Sequence, residues 1–175
     1  EFLEITNIGK QTVNLQGVQF NEGIDYTFGD QNLKPGSSLV LTANRDAFVA
    51  RYGENNIKIA GEFKGNLSNS GETLKLSDQF GNLLKEFSYN NNWYAQSAGG
   101  GRSLVTVEDN VNNDSLSNPS NWRPSQFLGG SPGSMEDKLP MIRISEIHYN
   151  PPKLNDLEIE AGFKDRDAFE FIELR

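Results

Sequence analysis

The stretch from Gly65 to Tyr89 constrains the fold more than any other part of this sequence. Two runs typical of β-strands, Thr73–Ser77 and Leu83–Tyr89, flank a short loop that is rich in turn-forming residues. Leu74 and Leu76 are two positions apart, so in a strand they lie on the same face. The stretch therefore predicts a β-hairpin with an apolar face. The residues that we expect in the core are Leu67, Leu74, Leu76 and Phe87.

The other residues up to position 133 predict further short strands between closely spaced turns, roughly eight or nine strands in all. One segment predicts a helix, with Asn44 as its N-cap and Gly53 as its left-handed C-terminal residue. Phe48 and Tyr52 are four positions apart and lie on one face of that helix. Because the sequence has no Gly-rich phosphate loop and no alternation of strands and helices, we predict an all-β, two-sheet antiparallel sandwich with one short helix.

The composition limits the classes of partner. The 24 acidic residues outnumber the 16 basic ones, the net charge is −8, and the basic residues are scattered, so we expect no binding to nucleic acid. The absence of Cys excludes disulfides and zinc–thiolate sites, and it fits both the bacterial cytosol and bacterial surface proteins. No run approaches the ~20 apolar residues of a membrane helix. Glu1 begins inside a strand pattern, so we expect the natural N-terminus to lie further upstream.

The residues that carry enzymatic chemistry are largely missing. His148 is the single histidine, so one chain cannot form a His-dependent triad or a two-His metal site. Without such a base, the many Ser and Thr hydroxyls have nothing to activate them as nucleophiles. The paired carboxylates fit the solvated sides of strands and loops better than an acid–base pair. These pairs are Glu1 with Glu4, Glu158 with Glu160, and Glu170 with Glu173. We therefore predict that the chain has no catalytic residue, no cofactor and no enzymatic activity.

Three clusters resemble ligand sites. Asp109, Asn112 and Asp114 offer hard oxygens of the kind that Ca²⁺ binds, but the calcium-loop Gly and the distal Glu are missing, and an Asn-rich turn is the simpler interpretation. The acidic loop between Asp156 and Asp167 offers a weaker cation candidate on the same grounds. The aromatic residues Trp93, Tyr94 and Trp122 suit either a platform for sugar or peptide, or a plug at the end of the core.

A second pattern follows Ser134–Pro140, which we interpret as a linker. Ile142–Tyr149 predicts a strand, an acidic irregular stretch follows it, and Phe169–Leu174 predicts another strand. Glu170-Phe171-Ile172-Glu173-Leu174 repeats Glu1-Phe2-Leu3-Glu4-Ile5 with aliphatic exchanges alone. A strand from the start of one domain thus recurs beyond the linker.

These motifs carry a family resemblance. The chain resembles a bacterial lamin-tail domain, which implies an immunoglobulin-like fold. Leu67–Leu74 is the most specific match, and residues 145–152 and 170–174 resemble the family's opening strands. The resemblance implies three regions: a domain over residues 1–133 that lacks its opening strand, the linker 134–140, and the opening of a second copy over 141–175. The other matching segments are Glu1–Gly9, Val13–Gly17, Tyr26–Phe28, Leu33–Leu41, Phe48–Gly53, Gly65–Asn82, Gly99–Leu104, Asn118–Arg123 and Gly129–Gly133.

The resemblance also implies a function. It indicates a non-catalytic interaction or structural module of a larger bacterial protein, secreted or attached to the cell surface, with tandem repeats. The alternatives are an accessory domain that positions the substrate of a multidomain enzyme, and a weak carbohydrate- or calcium-binding module.

The expected partners are proteins or neighbouring repeats. A missing opening strand leaves an open sheet edge and an apolar groove. We expect Ile142–Tyr149 to fill that edge, within its own chain or in a strand-swapped homodimer, and Phe169–Leu174 to pair at another sheet edge or across a dimer contact.

Overall fold

The structure, a computed structural model, describes residues 1–108, 111, 113–136 and 142–175. The chain divides into two compact units, Glu1–Glu136 and Asp137–Arg175. Two short 3-10 helices, Asn113–Ser115 and Pro119–Asn121, precede the last strand of the first unit. The elements of that unit are β1 (Phe2–Thr6), β2 (Val13–Asn14), β3 (Gln19–Glu22), β4 (Ile24–Thr27), β5 (Asn32–Leu33), β6 (Ser38–Thr42), α1 (Arg45–Tyr52), β7 (Ile59–Glu62), β8 (Lys64–Gly65), β9 (Gly71–Ser77), β10 (Leu83–Asn90), β11 (Leu104–Thr106) and β12 (Trp122–Pro124).

The strands of the first unit form two main sheets, as predicted for an all-β, immunoglobulin-like sandwich. A five-stranded sheet has the order β10-β9-β3-β4-β8, and a three-stranded sheet has the order β1-β6-β7. Two small pairs, β2–β5 and β11–β12, complete the described strands. The pairing is antiparallel except between β6 and β7, which run parallel because α1 carries the chain back between them.

The core is built from apolar side chains of both main sheets. Leu74 is buried in it, as predicted, while Leu67, Leu76 and Phe87 are partly buried and pack against it. In the hairpin, Leu74 of β9 pairs with Phe87 of β10, so the two face the same side of the sheet. The other buried members of this cluster are Leu15, Val18, Phe20, Ile24, Phe28, Leu33, Leu39, Leu41 and Phe63.

The loop of the hairpin is held by one carboxylate. Asp78 accepts hydrogen bonds from the backbone N–H groups of Phe80 and Asn82 and from the side-chain amide of Asn82. These bonds, the one from the Asn82 side chain first, hold the pKa of Asp78 below its ordinary value. Gly81 has a φ of 84°, a left-handed conformation that glycine adopts without strain. The turn that the sequence predicted between the two strands is therefore fixed by its own polar groups.

Helix α1 begins and ends at the predicted residues. The Asn44 side chain accepts a hydrogen bond from the N–H of Ala47 at 2.8 Å, and Gly53 follows the helix with a φ of 74°. Phe48 is buried, and its ring contacts those of Tyr52 and Phe2. The helix thereby covers the face of β1 that carries Phe2.

We predict that Asn44→Ala lowers the free energy of unfolding by ~1 kcal/mol, because the N–H of Ala47 loses its partner. Asn44→Asp, which keeps the accepting oxygen, is the control and is expected to stay close to the wild type. Both tryptophans lie in the first unit, so denaturation followed by tryptophan fluorescence measures that unit. Equal losses for Ala and Asp would contradict the capping role.

The second unit is a two-stranded antiparallel sheet with short helices in its connection. Its elements are β13 (Ile144–His148), α2 (Asp156–Glu160), a 3-10 helix (Arg166–Phe169) and β14 (Phe171–Leu174). Helix α2 lies in the stretch that the sequence suggested was irregular; a capping box between Asn155 and Glu158 stabilises its first turn.

The predicted partner of the last strand is wrong. We expected Phe169–Leu174 to pair at another sheet edge or across a dimer contact, but β14 pairs with β13. The intervening residues return the chain beside β13, so the backbone groups of both strands find partners within this unit. Among the described residues β13 forms a ladder with β14 alone, so the expected filling of the open edge by Ile142–Tyr149 within its own chain is also wrong. Exchange of this strand between two chains stays a prediction.

Part of the predicted linker belongs to the first unit. Glu136 forms an ion pair with Arg123, with 2.6 Å between carboxylate Oε2 and guanidinium Nη1. It also accepts hydrogen bonds from the N–H of Gln126 and the hydroxyl of Ser131. Residues 137–140 of the linker lie outside the described residues.

Candidate functional site

Strand β1 has a strand partner along one of its edges. The N–H of Ala43 donates to the carbonyl of Glu1 at 3.2 Å, and the N–H of Asn7 donates to the carbonyl of Ser37 at 3.0 Å. Hydrogen-bonded residues alternate along an antiparallel strand. The backbone groups of Phe2, Glu4 and Thr6 therefore point away from β6. Among the described residues, no strand pairs with that outer edge of β1.

A cleft of about 1070 Å³ runs along β1. Strand β1 forms one wall, β9 and β10 form the opposite wall, and β11 and α1 contribute further residues. Leu3 and Ile5 project from β1 on the side of the core cluster and pack against it. Across the cleft lie the apolar side chains Leu76, Phe87, Leu104 and Trp122. An open row of backbone donors and acceptors thus stands beside an apolar surface.

The other face of β1 is more polar. Glu4 is partly buried there, and its carboxylate accepts a hydrogen bond from the N–H of Gly133. Burial raises the pKa of Glu4, and the hydrogen bond from Gly133 offsets this effect in part. Glu4 therefore ties the loop that closes the first unit to β1, and it lies at the centre of the open edge.

The structure brings Trp93, Tyr94 and Trp122 close to one another, and of these three Trp122 lines the cleft. The ring of Trp122 stacks on Phe87 with centroids 5.2 Å apart, and Trp93 lies 6.4 Å from Trp122. The indole N–H of Trp122 donates to the carbonyl of Leu116 at 2.6 Å. The Tyr94 hydroxyl lies 2.9 Å from the carbonyl oxygens of both Pro119 and Trp122. These polar groups serve the packing of the unit, and binding of sugar or peptide by the three residues stays a prediction.

The calcium candidates fall mostly outside the described part of the chain. Asp109 and Asn112 lie outside the described residues, and Asp114 is exposed in the 3-10 helix Asn113–Ser115. The described residues contain no group of three or more His, Asp or Glu side chains placed to hold a metal ion. The binding of calcium at the predicted positions therefore stays a prediction.

Several of the titratable residues in the second unit are engaged in contacts with their neighbours. His148 lies in the second unit, where its ring stacks on Phe171 with centroids 5.3 Å apart. The carboxylates of Glu158 and Glu173 are occupied by the capping box of α2 and by contacts with Ser145 and Arg175. No helix in the described part of the chain is long and apolar enough to cross a membrane.

The walls of the cleft come from segments far apart in the sequence. The sequence predicts an open edge beside the first strand, but it gives no sign that β11 and α1 help to line the cleft. Local patterns carry no signal for this, because Leu104 and Arg51 approach β1 through tertiary packing alone. The repeat of Glu1–Ile5 at Glu170–Leu174 is the one local signal that pointed to the edge.

The fold and the site define a class of protein: an immunoglobulin-like sandwich in which an edge strand borders an apolar cleft. The model of the lamin tail domain family matches residues 1–91, more than half of the chain. The chain therefore belongs to the lamin tail domain family, whose immunoglobulin-like domains are generally non-catalytic. The match supports the predicted resemblance over those residues. No curated protein matches the chain.

Proposed function

We propose that this chain is a protein-interaction module that binds an extended peptide strand along the outer edge of β1. The observation that carries the proposal is the open edge of β1 beside the apolar cleft. Adding a strand to such an edge supplies affinity through main-chain hydrogen bonds, and side-chain pockets supply specificity. The module has an interaction role and performs no chemistry.

The shape of the site favours a strand over a small molecule. The backbone donors and acceptors of Phe2, Glu4 and Thr6 that point away from β6 follow one strand at every second residue, which is the spacing of a β-ladder. The side chains of Leu3 and Ile5 lie on the core side, so a strand added here would place alternate side chains against Leu76 and Phe87. A peptide with apolar residues at alternate positions matches both features.

The wider setting belongs to the same proposal. We place the module in a larger bacterial protein that is secreted or attached to the cell surface and contains tandem copies of the domain. The repeat of Glu1–Ile5 at Glu170–Leu174 supports the tandem arrangement, and the absence of Cys is compatible with a surface location. Sequencing of the full gene tests it, since flanking catalytic domains would favour an accessory role in a multidomain enzyme.

Binding can be tested with a displayed library of short random peptides selected against the whole chain. We expect the selected peptides to alternate apolar and polar residues and to slow the amide exchange of Phe2, Glu4 and Thr6, measured by nuclear magnetic resonance. Selected peptides that leave these amides unchanged would overturn the proposal, and so would a library that yields no binder.

A single substitution at the edge sharpens this test. Thr6→Pro removes an N–H that points away from β6, so the β1–β6 ladder keeps its hydrogen bonds. We expect it to weaken peptide binding at least ~5-fold, the equivalent of one main-chain hydrogen bond. Thr6→Val is the matched control, because both variants lose the hydroxyl contact with Ser38 while Val keeps the N–H. Equal binding by the two variants would contradict pairing at this edge.

A further inference from the structure

The second unit contains a strand pair that matches the open edge of β1. Strand β14 and the residues beside it repeat the sequence of β1, so that Phe171, Ile172 and Glu173 correspond to Phe2, Leu3 and Glu4. Unlike β1 at its outer edge, β14 has a partner there, the antiparallel strand β13. The second unit therefore shows that a strand with the sequence of β13 pairs with a strand whose sequence repeats that of β1.

The edge of β14 that pairs with β13 corresponds in sequence to the outer edge of β1. Arg143 and Arg175 exchange both backbone hydrogen bonds, at 2.8 and 2.9 Å. Because bonded residues alternate along β14, Glu173 and Phe171 also turn their backbone groups toward β13. In the repeat, Arg175, Glu173 and Phe171 correspond to Thr6, Glu4 and Phe2. These are the three residues of β1 whose backbone groups point away from β6.

We propose that the outer edge of β1 binds the strand Ile142–His148 of a second copy of this chain. His148 then lies opposite Phe2, Ile147 opposite Leu3, and Ile144 opposite Ile5, which is the register of β13 on β14. Reciprocal exchange between two copies closes the assembly as a dimer. The inference rests on the proposed function, since it names the strand and the partner for the same edge.

Apolar burial drives the exchange. In the second unit Ile144 and Ile147 are 58% and 53% exposed, on the same side of the small sheet as Ile172 and Leu174. Beside β1, the two isoleucines instead face the cleft, next to Leu3 and Ile5. The ladder on β14 is replaced by an equivalent ladder on β1, so the number of main-chain hydrogen bonds is conserved. The gain is the burial of two isoleucine side chains.

One contact in this register brings two carboxylates together. Glu146 lies opposite Glu173 in the second unit and would lie opposite Glu4 on β1. Like charges at such positions repel each other. In the second unit the Ser145 hydroxyl lies 2.5 Å from a carboxylate oxygen of Glu173, at the bulge of β13. The same hydroxyl would reach Glu4, so Ser145 offsets the repulsion and fixes the register.

The test is the self-association of the whole chain, measured by sedimentation over a wide range of concentration. We expect a monomer–dimer equilibrium in which the amides of Phe2, Glu4 and Thr6 exchange more slowly in the dimer. The double substitution Ile144→Asp with Ile147→Asp is expected to raise the dimer dissociation constant at least ~100-fold, since it places two charges in the apolar cleft. A synthetic peptide of residues 142–150 is expected to compete with dimer formation.

Ile172→Asp separates strand exchange from simple stacking of the exposed apolar faces. Ile172 lies on the same face as Ile147, yet β14 does not enter the cleft in the exchanged dimer. We therefore expect Ile172→Asp to leave dimerisation intact, and its loss in this variant would overturn the proposal. A chain that stays monomeric at every concentration would also overturn the proposal, whether or not the exchange of the β1 amides is slowed. Slowed exchange of those amides by library peptides, but not by peptide 142–150, would leave the proposed function standing and remove this inference alone.

Discussion

Leu74→Ala is expected to lower the free energy of unfolding of the first unit by ~2–5 kcal/mol. Leu74 is 3% exposed and belongs to the core cluster between the sheets. Truncation of Leu74 removes the favourable transfer free energy of its side chain and leaves a cavity. The cavity lies beside Gly23, which packs so closely that a Cβ atom added to Gly23 would lie 2.6 Å from Leu74 Cδ2. Chemical denaturation followed by tryptophan fluorescence measures the loss.

Leu83→Ala is the matched control for this experiment. Leu83 begins the second strand of the same hairpin, but it is 54% exposed. The same chemical change at this position is expected to cost about 1 kcal/mol or less. Similar losses for the two variants would mean that burial of Leu74 does not decide the stability of the hairpin.

Glu136→Gln is expected to destabilise the first unit by ~1–3 kcal/mol at neutral pH, because it weakens the charge-assisted hydrogen bonds of a buried carboxylate. The Glu136 and Arg123 side chains are 3% and 13% exposed, so the substitution removes a charged partner of a largely buried guanidinium. It also weakens the contacts that hold Gln126 and Ser131 to the end of the unit. Glu54→Gln breaks an ion pair whose side chains are 50% and 56% exposed, and it serves as the control with an expected cost of ~0–1 kcal/mol.

The cost of Glu136→Gln depends on pH in a defined direction. Burial raises the pKa of Glu136, but hydrogen bonds from Ser131, Gln126 and Arg123 outweigh it and hold the pKa below its ordinary value. The ionised carboxylate therefore contributes stability above the pKa of the unfolded chain, about 4.3. That contribution is lost as the pH falls through the lower pKa of the folded state. Denaturation midpoints of variant and wild type should converge in acid; a constant difference would contradict the role of the charge.

The local patterns determined most of the secondary structure of the first unit. The alternation at Leu74 and Leu76 and the turn at Asp78 specify the hairpin, because strand facing and turn conformation depend on neighbouring residues. The caps at Asn44 and Gly53 fixed the bounds of α1 for the same reason. The composition also showed that the sequence contains one His and no Cys. The short helix α2 was not, although its capping box at Asn155 and Glu158 is a local signal.

The sequence predicted an open edge beside the first strand, but tertiary structure alone decided which segments form the cleft there. Strand β1 became an edge because β6 pairs with one side of it, and the cleft formed because β9, β10 and β11 approach its other side. The repeat of Glu1–Ile5 near the C-terminus was visible in the sequence, but its pairing with β13 was not. Strand partners are chosen by the burial of whole faces and by the path of the connecting chain, and neither is encoded within the strand itself.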